Sequence, residues 1–560
     1  MTLLHPLILF IFILTAPFVG ALWPLPRNMQ TGSTALRLAD DFDIKFSLAH
    51  ASSDLRDAVS RTMSFLRTDK LERLVVGRGA TDGQIVTKAK SLSSLTLTLL
   101  SDEPTRSIYE EAIAPLGDRD EHYNLRIPDD ESSATLTANS MLGLFRGLTT
   151  FAQLWYYYNG HVYMLEAPLE IDDLPAFPYR GLMLDTCRNF FPVDDIKRTL
   201  DAMSWVKSKL IPLKMSVFHW HIVDSQSFPL QVPDFEEISQ RGAYSPNYIY
   251  SPSDVEDIVL YAGMRGIDVV VEIDTPGHTA IISESHPEHV ACPQFTPWSE
   301  FANEPPAGQL RLTSFTTNFT VALLSSIVKL FPSTMFSAGG DEVNMNCYAQ
   351  DQEMRDYLNS SGQTLNDALS NFVQNIQAML IGEGKTPLIS EEMILENDLN
   401  VSNNTIVLVW MSSTHVPAVT KKGLRVVFAA SDYVFLDCGA GAWVGNDVDG
   451  ISWCDPLKTW QKTYSVNPLA NLTEEESKMV IGGQHLLWTE QSSSSNLDPI
   501  TWPRAASAAE VFWSGPGGNV STVLPRLHDM AYRMVQRGVR AIPLQPQWCA
   551  LRPGACDLTH

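Results

Sequence analysis

The sequence predicts an α/β protein: a (β/α)8 barrel preceded by a smaller α+β domain. Three observations carry this. From Tyr179 onward, eight short apolar runs alternate with helical stretches: 181–184, 215–222, 267–273, 335–338, 386–389, 405–410, 425–429 and 485–488. Eight strands with intervening helices suggest a closed barrel. Polar residues cluster just after these runs, at Asp224, Asp274, His278, Asp341, Glu342, Asp437 and Glu490. In a barrel the strand C-termini share one face, so these residues converge. Before Tyr179 the pattern is different: short β-type runs mix with helical ones.

The elements can be justified in order. Residues 7–19 are almost wholly apolar, followed by the small residues Gly20 and Ala21 and then Trp23-Pro24-Leu25-Pro26. That predicts a signal peptide over 1–21, cleaved near Ala21. The other reading is a membrane anchor, but the run is shorter than the ~20 residues that span a bilayer. No later run is long and apolar enough, so the expectation is a secreted protein with no membrane association after cleavage.

Residues 22–170 form the expected N-terminal α+β domain. Runs 95–100 and 121–127 alternate like strands, and 135–157 reads as a helix with one apolar face. Nothing in this layer looks catalytic. The segment 171–178 reads as a linker, because two prolines and two acids interrupt regular structure. The barrel and a C-terminal extension take 177–560. A chain of 560 residues fits this two-domain division.

Composition narrows the function. Forty basic against 64 acidic side chains leave a net charge of -24. Such a chain repels phosphate backbones, which argues against nucleic acid as a partner. Three of the cysteine pairs suggest themselves by position: Cys292 with Cys347, Cys438 with Cys454, and Cys549 with Cys556, leaving Cys187 over. Sequons for N-glycosylation stand at Asn318, Asn359, Asn400, Asn403, Asn471 and Asn519.

Chemistry concentrates at Ser337-Ala338-Gly339-Gly340-Asp341-Glu342, where an apolar strand ends in two glycines and two carboxylates. Glycines let a ligand or backbone approach closely. Adjacent carboxylates repel, so their titrations couple and one is expected to rise, as a general acid requires. Taken alone the motif also fits a solvated loop. His219 and His221 stand two apart on a strand, and no nearby ligand completes a zinc set, so they read as barrel-interior groups. Asp274 reads as a support for its loop, Asp185-Thr186 as an anchor or a ligand, and Trp502-Pro503-Arg504 as the start of a helix.

Tyr179-Arg180-Gly181-Leu182-Met183-Leu184-Asp185-Thr186-Cys187-Arg188 opens the barrel, and Phe218-His219-Trp220-His221-Ile222-Val223-Asp224 follows. Glu272-Ile273-Asp274-Thr275-Pro276-Gly277-His278, Gly339-Gly340-Asp341-Glu342 and Leu487-Trp488-Thr489-Glu490 come next in order. Together with Glu304-Pro305-Pro306, they resemble family 20 glycoside hydrolases, the β-N-acetylhexosaminidases, and especially secreted fungal members. The resemblance implies exo-release of terminal N-acetylglucosamine or N-acetylgalactosamine from chitooligosaccharides or glycans, with the β configuration retained. The substrate's own acetamido oxygen attacks C1, an exception to the two-carboxylate scheme. The implied partner is a carbohydrate, with no cofactor and no metal, and the resemblance allows a homodimer through the barrel. It also implies residue roles. Glu342 is the general acid and base, Asp341 the acceptor of the acetamido N–H, and His278 with Asp224 the pair behind the acid. Arg180 holds sugar hydroxyls, Asp437 and Glu490 grip O4 and O6, and Trp410 and Trp488 line the pocket.

Three departures from the family stand out. Ser390 occupies the place of a tryptophan that walls the acetamido pocket. Phe435 occupies the place of a tyrosine whose hydroxyl steadies the acetamido carbonyl, and Tyr433 is an alternative source of that hydroxyl. The stretch 207–214 is longer than in the family, on the barrel face away from the chemistry. These departures put efficiency in question, so the alternative is a catalytically impaired carbohydrate-binding paralogue of the same fold.

Overall fold

A computed structural model describes residues 22–100, 105–204 and 213–558. The expected signal peptide lies outside the described residues, as does most of the stretch 207–214.

The N-terminal part is a six-stranded mixed sheet. Its long first strand, Asn28–Ser47, pairs antiparallel with His161–Asp173 through its first half and parallel with Lys90–Leu99 through its second. The helix expected over 135–157 is divided: Ala134–Ala138 is a strand, and Met141–Gln153 the helix. Ala134, Leu136 and Ala138 face inward while the threonines between them do not, a period of two that a helix cannot satisfy. Ser140 then caps the helix by accepting from the Gly143 N–H at 2.8 Å. The expected linker also starts later. Ile171 to Asp173 pair with Leu125 to Tyr123 and end the strand.

Eight parallel strands close the barrel: β1 (Tyr179–Asp185), β2 (Val217–Val223), β3 (Asp268–Ile273), β4 (Met335–Ser337), β5 (Thr386–Ser390), β6 (Ile406–Val409), β7 (Arg425–Phe428) and β8 (Val480–Leu487). All residues of β1 and β2 are buried, as strands covered on both faces should be. Along β2, Trp220 packs against Tyr250 and Phe331, while His219 and His221 meet polar groups of neighbouring strands.

The N-terminal sheet closes the barrel base through buried ion pairs. Glu121 accepts from both Arg146 and Arg180, Arg119 reaches Asp268 at 2.7 Å, and Lys214 reaches Asp173 at 2.8 Å. Disulfides join Cys292–Cys347, Cys438–Cys454 and Cys549–Cys556, the pairs that position suggests, and Cys187 is a buried free thiol. All six sequon asparagines are exposed. Among the described residues, no helix is long and apolar enough to cross a membrane.

Candidate active site

β4 ends in a tight turn that needs its two glycines. Gly339 has φ +63°, and a Cβ there would stand 2.0 Å from an Asp274 oxygen. Glu342 itself holds φ +57°, a left-handed conformation that costs a non-glycine residue about 1–3 kcal/mol. His278, after β3, sits at φ +54°. These turns bring three side chains together. His278 Nε2 lies 3.4 Å from Glu342 Oε2 and 3.7 Å from Asp341 Oδ2. Behind it, His278 Nδ1 meets Asp224 Oδ1 at 3.1 Å.

The charges do not fall where adjacency alone placed them. Burial raises Glu342, but the His278 hydrogen bond and charge outweigh it, with Asn303 helping, so this carboxyl is held below its ordinary value. Burial opposes charge on His278 too, yet Asp224 and Glu342 hold it well above the usual imidazole range. The raised carboxyl of the cluster is Asp274, which burial and the Asp341 charge push well up. Asp274 also accepts from the Gly340 N–H at 2.7 Å, so the loop it braces is the 339–342 turn after β4 rather than its own.

Around this centre lies a cavity of about 330 Å³. Asp341, Glu342 and His278 line one side. Trp410 and Phe435 form an apolar wall, rings stacked 6.4 Å apart, and Trp453 stands edge-on to both. Trp488, Asp437 and Glu490 also line the cavity. Burial pushes Asp437 up to about 7 and Glu490 to about 8, the latter against the pull of Arg188. Both can donate as well as accept hydrogen bonds in mildly acid solution.

Arg180 is not in this cavity. It stands at the start of β1, fully buried, bonded to Glu121 and to the carbonyls of Phe177 and Lys214. The arginine in the cavity is Arg188, just past the end of β1. Its guanidinium reaches Asp224 at 2.9 Å and Glu304 at 2.5 Å and lies 4.9 Å over the Trp488 ring. The strand-end rule separates the two arginines, since only a residue after the strand faces the chemistry. Glu304, which opens the Glu304-Pro305-Pro306 motif, and Asn303 just before it also line the cavity, and the sequence pattern gives neither a site role. Glu392 stands behind the cavity wall: it accepts from Trp410 Nε1 at 2.9 Å, and burial with the Asp341 charge raises it to about 9.

Ser390 ends β5 with its hydroxyl donating to Asp341 Oδ1 at 3.0 Å. Tyr433 does not reach the cavity, because it sits in a turn rather than an extended strand, beneath the Lys462 ammonium at 3.9 Å. Asp224, His278 and Glu304 lie close enough to share a cation, but Arg188 already contacts Asp224 and Glu304, with one nitrogen 3.4 Å from His278.

Fold and site define a glycoside hydrolase. Residues 177–516 match the glycosyl hydrolase family 20 catalytic domain, and residues 22–154 match a beta-acetyl hexosaminidase like domain. The chain belongs to glycosyl hydrolase family 20, and its function is that of a β-N-acetylhexosaminidase. It is 34% identical over 462 residues to a beta-hexosaminidase of Arthroderma benhamiae, covering 78% of this chain and 74% of that one. It is 31% identical over 560 residues to a chitooligosaccharidolytic beta-N-acetylglucosaminidase of Ostrinia furnacalis, covering 96% of this chain and 89% of that one. The solved structure of Flavobacterium johnsoniae chitobiase superposes with a TM-score of 0.72 at 25% identity, covering 93% of this chain and 73% of that one.

Proposed function

We propose that the protein is a secreted, exo-acting β-N-acetylhexosaminidase that removes terminal non-reducing N-acetylglucosamine or N-acetylgalactosamine from chitooligosaccharides or glycans. The reaction is substrate-assisted and retains configuration. One observation carries this reading: the charged His278 imidazole faces Asp341 and Glu342 at once, inside a pocket walled by aromatic rings. Glu342, in the fraction that takes up a proton from solvent in mild acid, passes that proton to the leaving oxygen while the acetamido oxygen attacks C1. It then takes a proton from the water that opens the intermediate. Asp341 accepts the acetamido N–H and balances positive charge as it develops. Arg188, Asp437 and Glu490 hold ring hydroxyls, and Trp410 with Phe435 packs the acetamido methyl. Exposed sequons and three disulfides support an oxidising, secretory destination.

The test is hydrolysis of an aryl β-N-acetylglucosaminide by the purified protein, with Glu342→Gln as control. Release well above the control, greatest in mild acid and absent with the plain glucoside, is the expected outcome. No release above the control leaves the carbohydrate-binding paralogue. Equal turnover of the plain glucoside, or a covalent sugar adduct on a carboxylate, removes the substrate-assisted mechanism.

A further inference from the structure

Behind Asp224 the polar chain continues through the barrel interior. His221 Nε2 meets Asp224 Oδ2 at 2.7 Å, and His221 Nδ1 meets Glu272 Oε1 at 2.6 Å. Glu272 Oε2 lies 3.0 Å from His219 Nε2 and accepts from Ser337 Oγ at 2.5 Å. Gln484 then links His219 to the Tyr179 hydroxyl. Strand register builds this chain: Glu272 is paired with His221 on β2 and with Ser337 on β4. Each of these side chains belongs to a buried residue.

We propose that His221 and Glu272 are positioning residues for the acid–base step, fixing Asp224 and through it the orientation and charge of His278 against Glu342. The inference rests on the reading of Glu342 as the acid and base. Ionised groups buried in a barrel cost several kcal/mol each unless paired, and apolar side chains would fill this interior at lower cost. Here they alternate in sign and end on the acid. Burial opposes a charge on His221, but Asp224 and Glu272 lift it to about 9. Burial likewise opposes the Glu272 carboxylate, and His219 and His221 hold it well below its ordinary range.

The groups around His221 are few. Asp185, Cys187 and Arg188 face it from the end of β1, with an Arg188 nitrogen 3.5 Å away. His219 and Asp224 share its own strand, and Glu272 comes from β3. The two carboxylates, Asp224 and Glu272, are what favour the proton on His221 against its burial. No bond forms or breaks along the chain. Its effect is to hold His278 in one orientation and one charge state through the catalytic cycle.

The experiment compares kcat, KM and pH profiles of the parent, Glu272→Gln, Glu272→Asp, Ser337→Ala and Glu342→Gln on one aryl β-N-acetylglucosaminide, with thermal melts of each. Glu272→Gln keeps shape and removes charge. Its expected kcat falls roughly tenfold or more, with KM within about twofold. Its profile should also gain an ionisation below 9, because His221 now titrates inside the assay range. Glu272→Asp should restore the parental profile, and Ser337→Ala should give a smaller loss in the same sense. Parental kcat and profile in Glu272→Gln overturn the inference. A loss of activity that only follows the folded fraction, with the parental profile, overturns it too. A parent no faster than Glu342→Gln instead overturns the catalytic reading on which it rests.

Discussion

Arg188 carries its charge into the pocket because Asp185, Asp224 and Glu304 surround it, whereas Arg180 spends its charge on Glu121 at the opposite end of the same strand. The two should separate cleanly in kinetics. Arg188→Lys loses the planar fork and should lower kcat/KM by about 10². Arg180→Met should leave kcat/KM nearly unchanged but lower stability by ~3–5 kcal/mol, since it breaks a buried pair. Parental kcat/KM in Arg188→Lys, or a comparable kinetic loss in Arg180→Met, contradicts this division. Ser390 and Phe435 differ in a similar way. Phe435 keeps the aromatic wall without a hydroxyl, so Phe435→Tyr should raise kcat/KM about tenfold, or ~1.4 kcal/mol. Ser390 is not a simple loss, because its hydroxyl bonds Asp341. Ser390→Ala should lower kcat by about 10- to 100-fold, the range for a hydrogen bond to a charge. A Ser390→Ala enzyme with parental kcat would show that Asp341 is oriented by its other neighbours.

The loop closed by Cys438–Cys454 shapes the mouth of the pocket. It follows Asp437 directly and brings Trp443, Val444 and Trp453 to the cavity. Replacing both cysteines by serine should cost ~3 kcal/mol in a melt and raise KM more than it lowers kcat, because the aromatic rim loosens while Glu342 stays in place. A KM unchanged at a lowered melting temperature would give the loop a role in stability alone. Elements of this kind were only partly legible in the sequence. Barrel strands announce themselves as apolar runs followed by polar residues, so the convergence of Asp224, His278, Asp341 and Glu342 is legible in the sequence. The division of 135–157 is not, because Leu and Ala at strand spacing run on into a helix of the same composition. The resemblance points to Arg180, but Arg180 stands at the start of β1, whereas Arg188 lies just past its end on the face that carries the chemistry. The Ser390–Asp341 bond and the Glu272–His221 contact depend on register between strands, which periodicity within one strand does not encode.

At the scale of the whole molecule, the pocket and the barrel interior set how stability depends on pH. Glu490, Asp437 and Glu392 stand at about 8, 7 and 9 in the folded protein, raised chiefly by burial. Unfolded, such carboxyls titrate near ~4, so the folded state binds more protons between those values. Stability then falls as pH rises through that interval. His221 adds to the same slope: its folded value of about 9 exceeds the ~6.5 of a free imidazole, so its contribution is complete below ~6.5 and lost as pH rises through 9. The opposite slope comes from Asp224, Glu272 and Glu121, all held below their ordinary values by cationic partners despite burial. Their contributions are present above ~4 and are lost as pH falls below it. The two sets leave a maximum near ~4, the value of an unfolded carboxyl, where the raised carboxyls are still neutral and the buried ion pairs largely intact. Melting temperature should therefore be higher at pH 5.5 than at pH 8 and should fall steeply below about pH 4. The double variant Asp437→Asn/Glu490→Gln removes two of the raised carboxyls and should flatten the alkaline slope while leaving the acid limb alone. A melting temperature that rises steadily from pH 5.5 to 8 would mean that the pocket carboxyls ionise freely in the folded protein, and the proposed hold of neutral Asp437 and Glu490 on ring hydroxyls would fall with that result.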